Sequence, residues 1–200
     1  MRGSRTAGWS RRYCSIVVAL AAALLTLSLA ARAQTIDEKA ALCSACHGEN
    51  GIPQQLSTPI IWGQNQGYLY LQLRDYQRGT RKNEPMSSLA SALGRDEMMA
   101  LAEYFSRRPW PNLRQSSAPE AVAARALRAN SSVGCTGCHL ERFLGAGTVP
   151  RLAGQREDYL ARTMAQFRTR ARGNNPGMSD LMSVTSEEEL GALAQYLAGL

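Results

Sequence analysis

The sequence predicts an all-α protein built as two tandem copies of one small helical domain. The first observation behind this is an internal repeat. Cys43-Ser-Ala-Cys46-His47 returns as Cys135-Thr-Gly-Cys138-His139, 92 residues further on. Pro59, Gly63-Gln64, Tyr68, Tyr76 and Arg81 return as Pro150, Gly154-Gln155, Tyr159, Phe167 and Arg172 at an offset of 91. Met86 and Tyr104 return as Met178 and Tyr196 at 92, so one small deletion and one compensating insertion account for the drift. Self-similarity over such a length means one structural unit used twice. The second observation is periodicity: apolar residues recur at helical spacing, and no alternating strand pattern reaches a useful length.

Residues 1–33 read as a secretory signal peptide. Arg2, Arg5, Arg11 and Arg12 form a basic start with no acidic residue, and an apolar run spans Ile16 to Ala30. Ala31-Arg32-Ala33 then offers small residues for cleavage before Gln34. The run of about 15 residues is shorter than the ~20 that a membrane-spanning helix needs. Cys14 lies ahead of the apolar run and leaves with the signal. The expected location of the mature protein is therefore the periplasm.

Removing this segment changes the charge. The whole chain has 23 Lys+Arg against 16 Asp+Glu; five arginines and no acids lie in residues 1–33, which leaves 18 against 16, or +2. No basic stripe for nucleic acid remains.

The first half, 34–106, opens with an Ala-rich helix over 37–45 that runs into the Cys pair. Helices over 67–78 and 95–106 follow. Residues 107–118 contain Pro109 and Pro111 and a polar run, which makes them an extended linker. The second half, 119–200, repeats the scheme with helices over 120–129, 157–170 and 186–198. Ser186 with Glu189 is a capping-box signal. Each half has about 80 residues, small for an independent apolar core, so an enclosed cofactor is expected to supply missing apolar mass.

Cys-x-x-Cys-His is the attachment signature of c-type haem. Two thiols at this spacing can form thioethers to the two vinyl groups of one haem, and the adjacent histidine can ligate its iron. Structural zinc, a thioredoxin-like redox pair and disulfides are the competing readings of four cysteines in an oxidising compartment. Each cluster offers only three tightly spaced ligands, short of a tetrahedral zinc set, and no βαβ context supports thioredoxin. Two matching copies behind a signal peptide favour two covalently attached haem c groups, held by Cys43, Cys46, Cys135 and Cys138.

His47 and His139 are the only histidines in the chain. Both are used as proximal ligands, which leaves none for acid–base catalysis and argues against an enzyme. Met86 and Met178 each lie 39 residues after their histidine, and this matched spacing makes them the expected second axial ligands. Met98, Met99, Met164 and Met182 are expected as filler, since methionine is more often packing than ligand. A thioether ligand raises the reduction potential, and a filled sixth position denies peroxide and oxygen a site. Both properties suit an electron carrier.

The chain resembles the dihaem cytochrome c4 family. The likeness rests on the two Cys-x-x-Cys-His motifs and on Pro150-Arg-Leu-Ala-Gly-Gln155 with Tyr159 following. Pro59-Ile-Ile-Trp-Gly-Gln64 with Tyr68, Met86-Ser-Ser-Leu-Ala, and Leu101-Ala-Glu-Tyr-Phe echoed by Leu193-Ala-Gln-Tyr-Leu complete it. It spans residues from about 36 to 200. The resemblance implies two class I cytochrome c domains about a pseudo-twofold axis, with haem propionates near the interface. It also implies a periplasmic carrier, often loosely membrane-associated and monomeric between encounters. Such a carrier takes electrons from a quinol-oxidising cytochrome bc complex or a dehydrogenase and passes them to a terminal oxidase. A dihaem subunit of a periplasmic dehydrogenase, of flavocytochrome or quinoprotein type, is the alternative, and a dihaem peroxidase is a remote one.

In small c-type cytochromes a proline carbonyl accepts the Nδ1–H of the proximal histidine, a role open to Pro59 and Pro150 beside the reading as turn prolines. Arg81 and Arg172 read equally as propionate partners or as solvated surface residues. Trp62, Tyr68, Tyr159 and Phe167 read as pocket and core. Two departures from the family pattern stand out. Leu140-Glu-Arg-Phe follows His139 where glycines are usual, as in His47-Gly-Glu-Asn-Gly51, and Trp62 replaces a small residue.

Overall fold

A computed structural model describes residues 34–200, so the signal-peptide reading falls outside the described residues. Residues 36–200 form one compact unit. The described residues are helical and contain no strand, only an isolated bridge between Ala146 and Val149. No described helix is long and apolar enough to cross a membrane.

In the first half α1 (Ile36–His47), α2 (Gln66–Gln77), α3 (Met86–Ser91) and α4 (Arg95–Ser106) follow in order. In the second half come α5 (Glu120–Val133), α6 (Thr136–His139), α7 (Glu157–Arg168), α8 (Pro176–Ser183) and α9 (Glu187–Ala198). Acidic residues lie in the first turns of α1, α4, α7 and α9, where the helix dipole favours them. The Ser186 hydroxyl accepts from the Glu189 N–H while the Glu189 carboxylate accepts from the Ser186 N–H, so the capping box forms as expected.

Helices pack within their own half: α1 on α4 and α2 on α3 and α4, then α5 and α7 on α9 and α8 on α7. Ala40, Leu69, Leu101, Ala102 and Phe105 make the first core. The second is larger and includes Phe143, Leu160, Met164, Phe167, Met182 and Leu193.

Three differences from the expected elements have local causes. Helix α1 runs unbroken through its Cys-x-x-Cys-His, whereas the helix expected over 120–129 continues to Val133 and stops at Gly134, which takes a left-handed conformation at φ 71, and α6 restarts behind it. The helix expected over 157–170 ends at Arg168 because Arg170 is also left-handed. Gly79 occupies the same place after α2. Past these residues the chain folds back, so the Arg81 N–H bonds the Asp75 carbonyl and the Arg172 N–H bonds that of Gln166, each at 3.0 Å. This helix ending aims Arg81 and Arg172 inward. The short helices α3 and α8, which carry Met86 and Met178, are additions to the sequence reading.

A pair of glutamines clasps the halves together. Gln155 reaches into the first half, where its Oε1 accepts the Ile60 N–H at 2.8 Å and its Nε2 donates to the Ile60 carbonyl at 3.0 Å. Gln64 does the same in reverse, accepting from the Arg151 N–H at 2.8 Å and donating to the Arg151 carbonyl at 2.9 Å. Both glutamines are only 3% exposed. The exchange is isologous within one chain, as a pseudo-twofold axis requires.

The linker is tied to both sides. Trp110 lies against Gly63 and Gly154, and Gln115 donates to the carbonyls of Gln155 and Ala198.

A buried donor or acceptor left without a partner costs about 1–3 kcal/mol. Gln155→Ala is therefore expected to destabilise the holoprotein by at least about 2 kcal/mol in chemical unfolding. A loss under about 0.5 kcal/mol would show that the clasp contributes nothing.

Candidate haem sites

Each Cys-x-x-Cys-His motif ends a helix, which presents its residues on the last turn. The four cysteines are free thiols. Burial pushes the Cys43 and Cys135 thiols up from their ordinary value. A thioredoxin-like pair needs a lowered thiol, so this environment is wrong for one.

His47 and His139 are buried. The His47 Nδ1 lies 2.8 Å from the Pro59 carbonyl, and the His139 Nδ1 lies 3.0 Å from that of Pro150. A carbonyl only accepts, so each Nδ1 carries the proton and each Nε2 keeps its lone pair for a metal. Burial pulls both imidazoles below their ordinary value, against the opposing effect of the proline bond. They are neutral at pH 7, as iron ligation requires.

Met86 and Met178 are half-buried at the starts of α3 and α8. Asn175 caps α8 by accepting the Met178 N–H at 3.1 Å, and Pro176 takes the first helical position. That Asn-Pro pair was a readable helix start. Met98, Met164 and Met182 are buried in the cores and Met99 is 42% exposed.

Arg81 and Arg172 are buried, which removes the reading as solvated surface residues. Each crosses to the other half. Arg81 donates to the Tyr159 hydroxyl and Arg172 to the Tyr68 hydroxyl, both at 3.3 Å. Arg81 also stacks on Tyr76 and Arg172 on Phe167, with guanidinium carbons 4.5 and 4.4 Å from the ring centroids. The Gln72 Oε1 accepts from Arg81 at 2.8 Å and from Arg172 at 2.9 Å. The neighbouring Asp75 is taken by Arg74 and Asn174. Neither Arg81 nor Arg172 pairs with a carboxylate among the described residues.

Their charge acts on the tyrosines instead. Burial raises the Tyr68 phenol, and the neighbouring Tyr159 adds to that rise. Burial also works to raise Tyr159, but Arg81 and Arg172 outweigh it and bring Tyr159 down. Two buried cations with only phenol, amide and ring partners are costly on their own. They fit a group that arrives with carboxylates, as haem does with its propionates. The residues present therefore suit haem on both counts: neutral oriented imidazoles beside free thiols, and buried positive charge awaiting an anion.

No family model matches the chain. A cytochrome c4 of Pseudomonas aeruginosa is 30% identical over 198 residues, covering 90% of this chain and 98% of that protein. The chain belongs to the cytochrome c4 family. A protein named thiosulfate dehydrogenase electron acceptor, from Stutzerimonas stutzeri, is 33% identical over 169 residues, 79% of this chain and 78% of its own. Among solved structures, reduced recombinant cytochrome c4 from Pseudomonas stutzeri has a TM-score of 0.71 at 26% identity, covering 84% of this chain and all of that one. As a cytochrome c4, the protein is a dihaem c-type cytochrome with covalently bound haem, and it transfers electrons rather than acting as an enzyme.

Within this cytochrome c4, two departures from the family pattern resolve into one exchange. The Trp62 indole lies over Gly51, so close that a Cβ there would meet the ring at 2.8 Å. The equivalents of Trp62 and Gly51 in the second half are Ala153 and Phe143. Phe143 is 4% exposed and shares a core with Ala153, its ring edge-on to Tyr196 at 6.3 Å. Aromatic mass thus fills the place beside each haem motif from opposite sides of the contact.

The position of Phe143 has a backbone cost. Leu140, Arg142 and Phe143 have φ of 62, 59 and 56, where the first half has left-handed glycines at Gly48 and Gly51. Such conformations cost about 1–3 kcal/mol per non-glycine residue. Large-to-small aromatic substitutions in cores cost about 3–5 kcal/mol. Phe143→Ala is therefore expected to destabilise the second half by about 3 kcal/mol in chemical unfolding, since alanine keeps the Cβ and relieves none of the φ strain. A change below about 1 kcal/mol would mean that Phe143 does not fill this place.

Proposed function

We propose that this cytochrome c4 is an exported periplasmic shuttle that carries single electrons between respiratory-chain partners. A quinol-oxidising cytochrome bc complex or a dehydrogenase would be its donor and a terminal oxidase its acceptor. Residues 34–106 and 119–200 would each form a monohaem domain, joined by the linker 107–118 and following a cleaved signal at 1–33. The observation that carries this reading is the duplicated histidine site, with the same ring nitrogen committed to the same proline carbonyl in both halves.

Cys43 and Cys46 would hold one haem and Cys135 and Cys138 the other. His47 with Met86, and His139 with Met178, would supply the axial ligands. Haem bound in this way supplies reversible one-electron chemistry at iron. The chain's own residues set its terms. The Pro59 and Pro150 carbonyls lock each imidazole tautomer and strengthen the ring as a donor. The Met86 and Met178 thioethers would ligate the iron and favour its ferrous state. Arg81 and Arg172 would neutralise propionates where the halves meet, which excludes a free carboxylate from the interface. With the halves clasped, electrons would pass between them inside one molecule.

A second reading, a cytochrome subunit of a dehydrogenase complex, is favoured by the similarity to the thiosulfate dehydrogenase electron acceptor. Co-purification with a dehydrogenase in stoichiometric amount would separate the two.

Reduced spectra of the holoprotein with and without carbon monoxide test the shuttle reading. The wild type should not change when the gas is added, since both sixth positions are filled. Met86→Ala and Met178→Ala should each bind one carbon monoxide per molecule and lower the potential of one haem. Carbon monoxide binding by the wild type would contradict the ligand set and bring a peroxidase or sensor forward.

A further inference from the structure

The loop after His139 contains three left-handed residues, Leu140, Arg142 and Phe143, and only Phe143 has its side chain in the core. Phe143 is held by its core packing, and its carbonyl accepts the N–H groups of Leu152 and Ala153 at 2.8 and 3.2 Å. The Leu140 carbonyl accepts the Phe143 N–H at 3.1 Å, but the Leu140 and Arg142 side chains are not in the core. Leu140 is 45% exposed, and Leu144 beside it is 39% exposed. Arg142 is exposed and forms no ion pair among the described residues. The equivalent residues of the first half are Gly48 and Asn50, so the duplicated unit does not need these side chains to fold. Strain that the packing does not explain points to a role facing outward.

The loop is closed by the Gly145 N–H on the His139 carbonyl at 2.8 Å. Arg151 flanks it, fixed by stacking on Trp110 at 4.3 Å and by its Nε–H on the Ala153 carbonyl at 3.0 Å. Burial lowers the Arg151 pKa and the nearby Arg142 charge lowers it further, so the two cations are close and uncompensated. Glu141 lies in the same loop and pairs with neither. Two exposed leucines and two neighbouring guanidiniums, in and beside the loop that follows Cys138-His139, combine apolar surface with positive charge. Interfaces are built this way, with arginine enriched and apolar contacts central.

We propose that Leu140, Leu144, Arg142 and Arg151 form the docking surface through which the second haem exchanges electrons with a soluble redox protein bearing carboxylates around its own cofactor. The proposal rests on the electron-carrier reading. The cations steer the acidic partner in, which makes association fast at low salt and slow at high salt. The leucines then exclude water at the point of contact.

Stopped-flow reduction of the ferric holoprotein by flavodoxin hydroquinone, an acidic FMN protein, tests it. One electron leaves the flavin and reduces one ferric haem. Haem potentials of each variant are measured alongside, so rates are compared at matched driving force. The second-order rate constant should fall steeply as ionic strength rises from about 10 to about 500 mM, where screening is nearly complete. Arg142→Glu should slow the low-salt reaction about tenfold or more and make little difference at high salt. Leu144→Ser should slow it at every ionic strength. Rates for both variants within about twofold of wild type throughout would overturn the proposal. It is equally overturned if those rates hold while Arg142→Glu abolishes binding to phosphatidylglycerol vesicles, which would make the patch a lipid contact. The carrier reading is judged separately: a wild type that dithionite cannot reduce reversibly fails it, whatever Arg142 does.

Discussion

The reciprocal glutamine clasp is the constraint on which the rest of the structure depends. Gln64 and Gln155 do not bond arbitrary backbone. Each bonds the residue directly after the proline that orients the opposite half's histidine: Ile60 follows Pro59, and Arg151 follows Pro150. One short segment in each half therefore holds its own imidazole and receives the other half's glutamine. A shift of the halves against one another would be felt at both histidines. Because the amides are buried and bonded through both oxygen and nitrogen, the register between the halves is specified by geometry as well as by contact area.

The second consequence of this arrangement is electrostatic. The helix endings after α2 and α7 turn Arg81 and Arg172 into the same interface, where each meets the tyrosine of the other half. Two like charges brought together away from water should drive the halves apart. Gln72, which bonds both, and the faces of Tyr76 and Phe167 hold them in place without neutralising them. A protein that relied on this interface alone would be better served by apolar residues. The arginines make sense as the protein half of a site completed by anionic groups, and the same charges depress Tyr159.

Much of this was legible in the sequence because it is local or duplicated. The motif spacing, the cap at Ser186 and the helix over 95–106 follow from short-range rules, and the repeat extended each conclusion to the other half. What escaped was of two kinds. The helix expected over 120–129 runs on to Val133 before Gly134 stops it, and the one expected over 157–170 stops at Arg168 before left-handed Arg170, since such endings depend on one residue's φ rather than on a window. The crossing arginines and the exchange of Trp62 for Phe143 are long-range. A sequence read half by half shows an odd tryptophan and an odd phenylalanine, and only packing shows that they fill one equivalent place. The periods that reveal helices carry no information on which half a side chain enters.

The central claim is that the clasp makes two haem sites into one redox unit. The most direct measurement is delivery of a single electron to the oxidised holoprotein by laser flash, followed by the optical bands of the two haems as the electron redistributes. The account predicts a first-order exchange whose rate does not depend on protein concentration. A redistribution that speeds up in proportion to concentration would show that the halves communicate only by collision, and would contradict it.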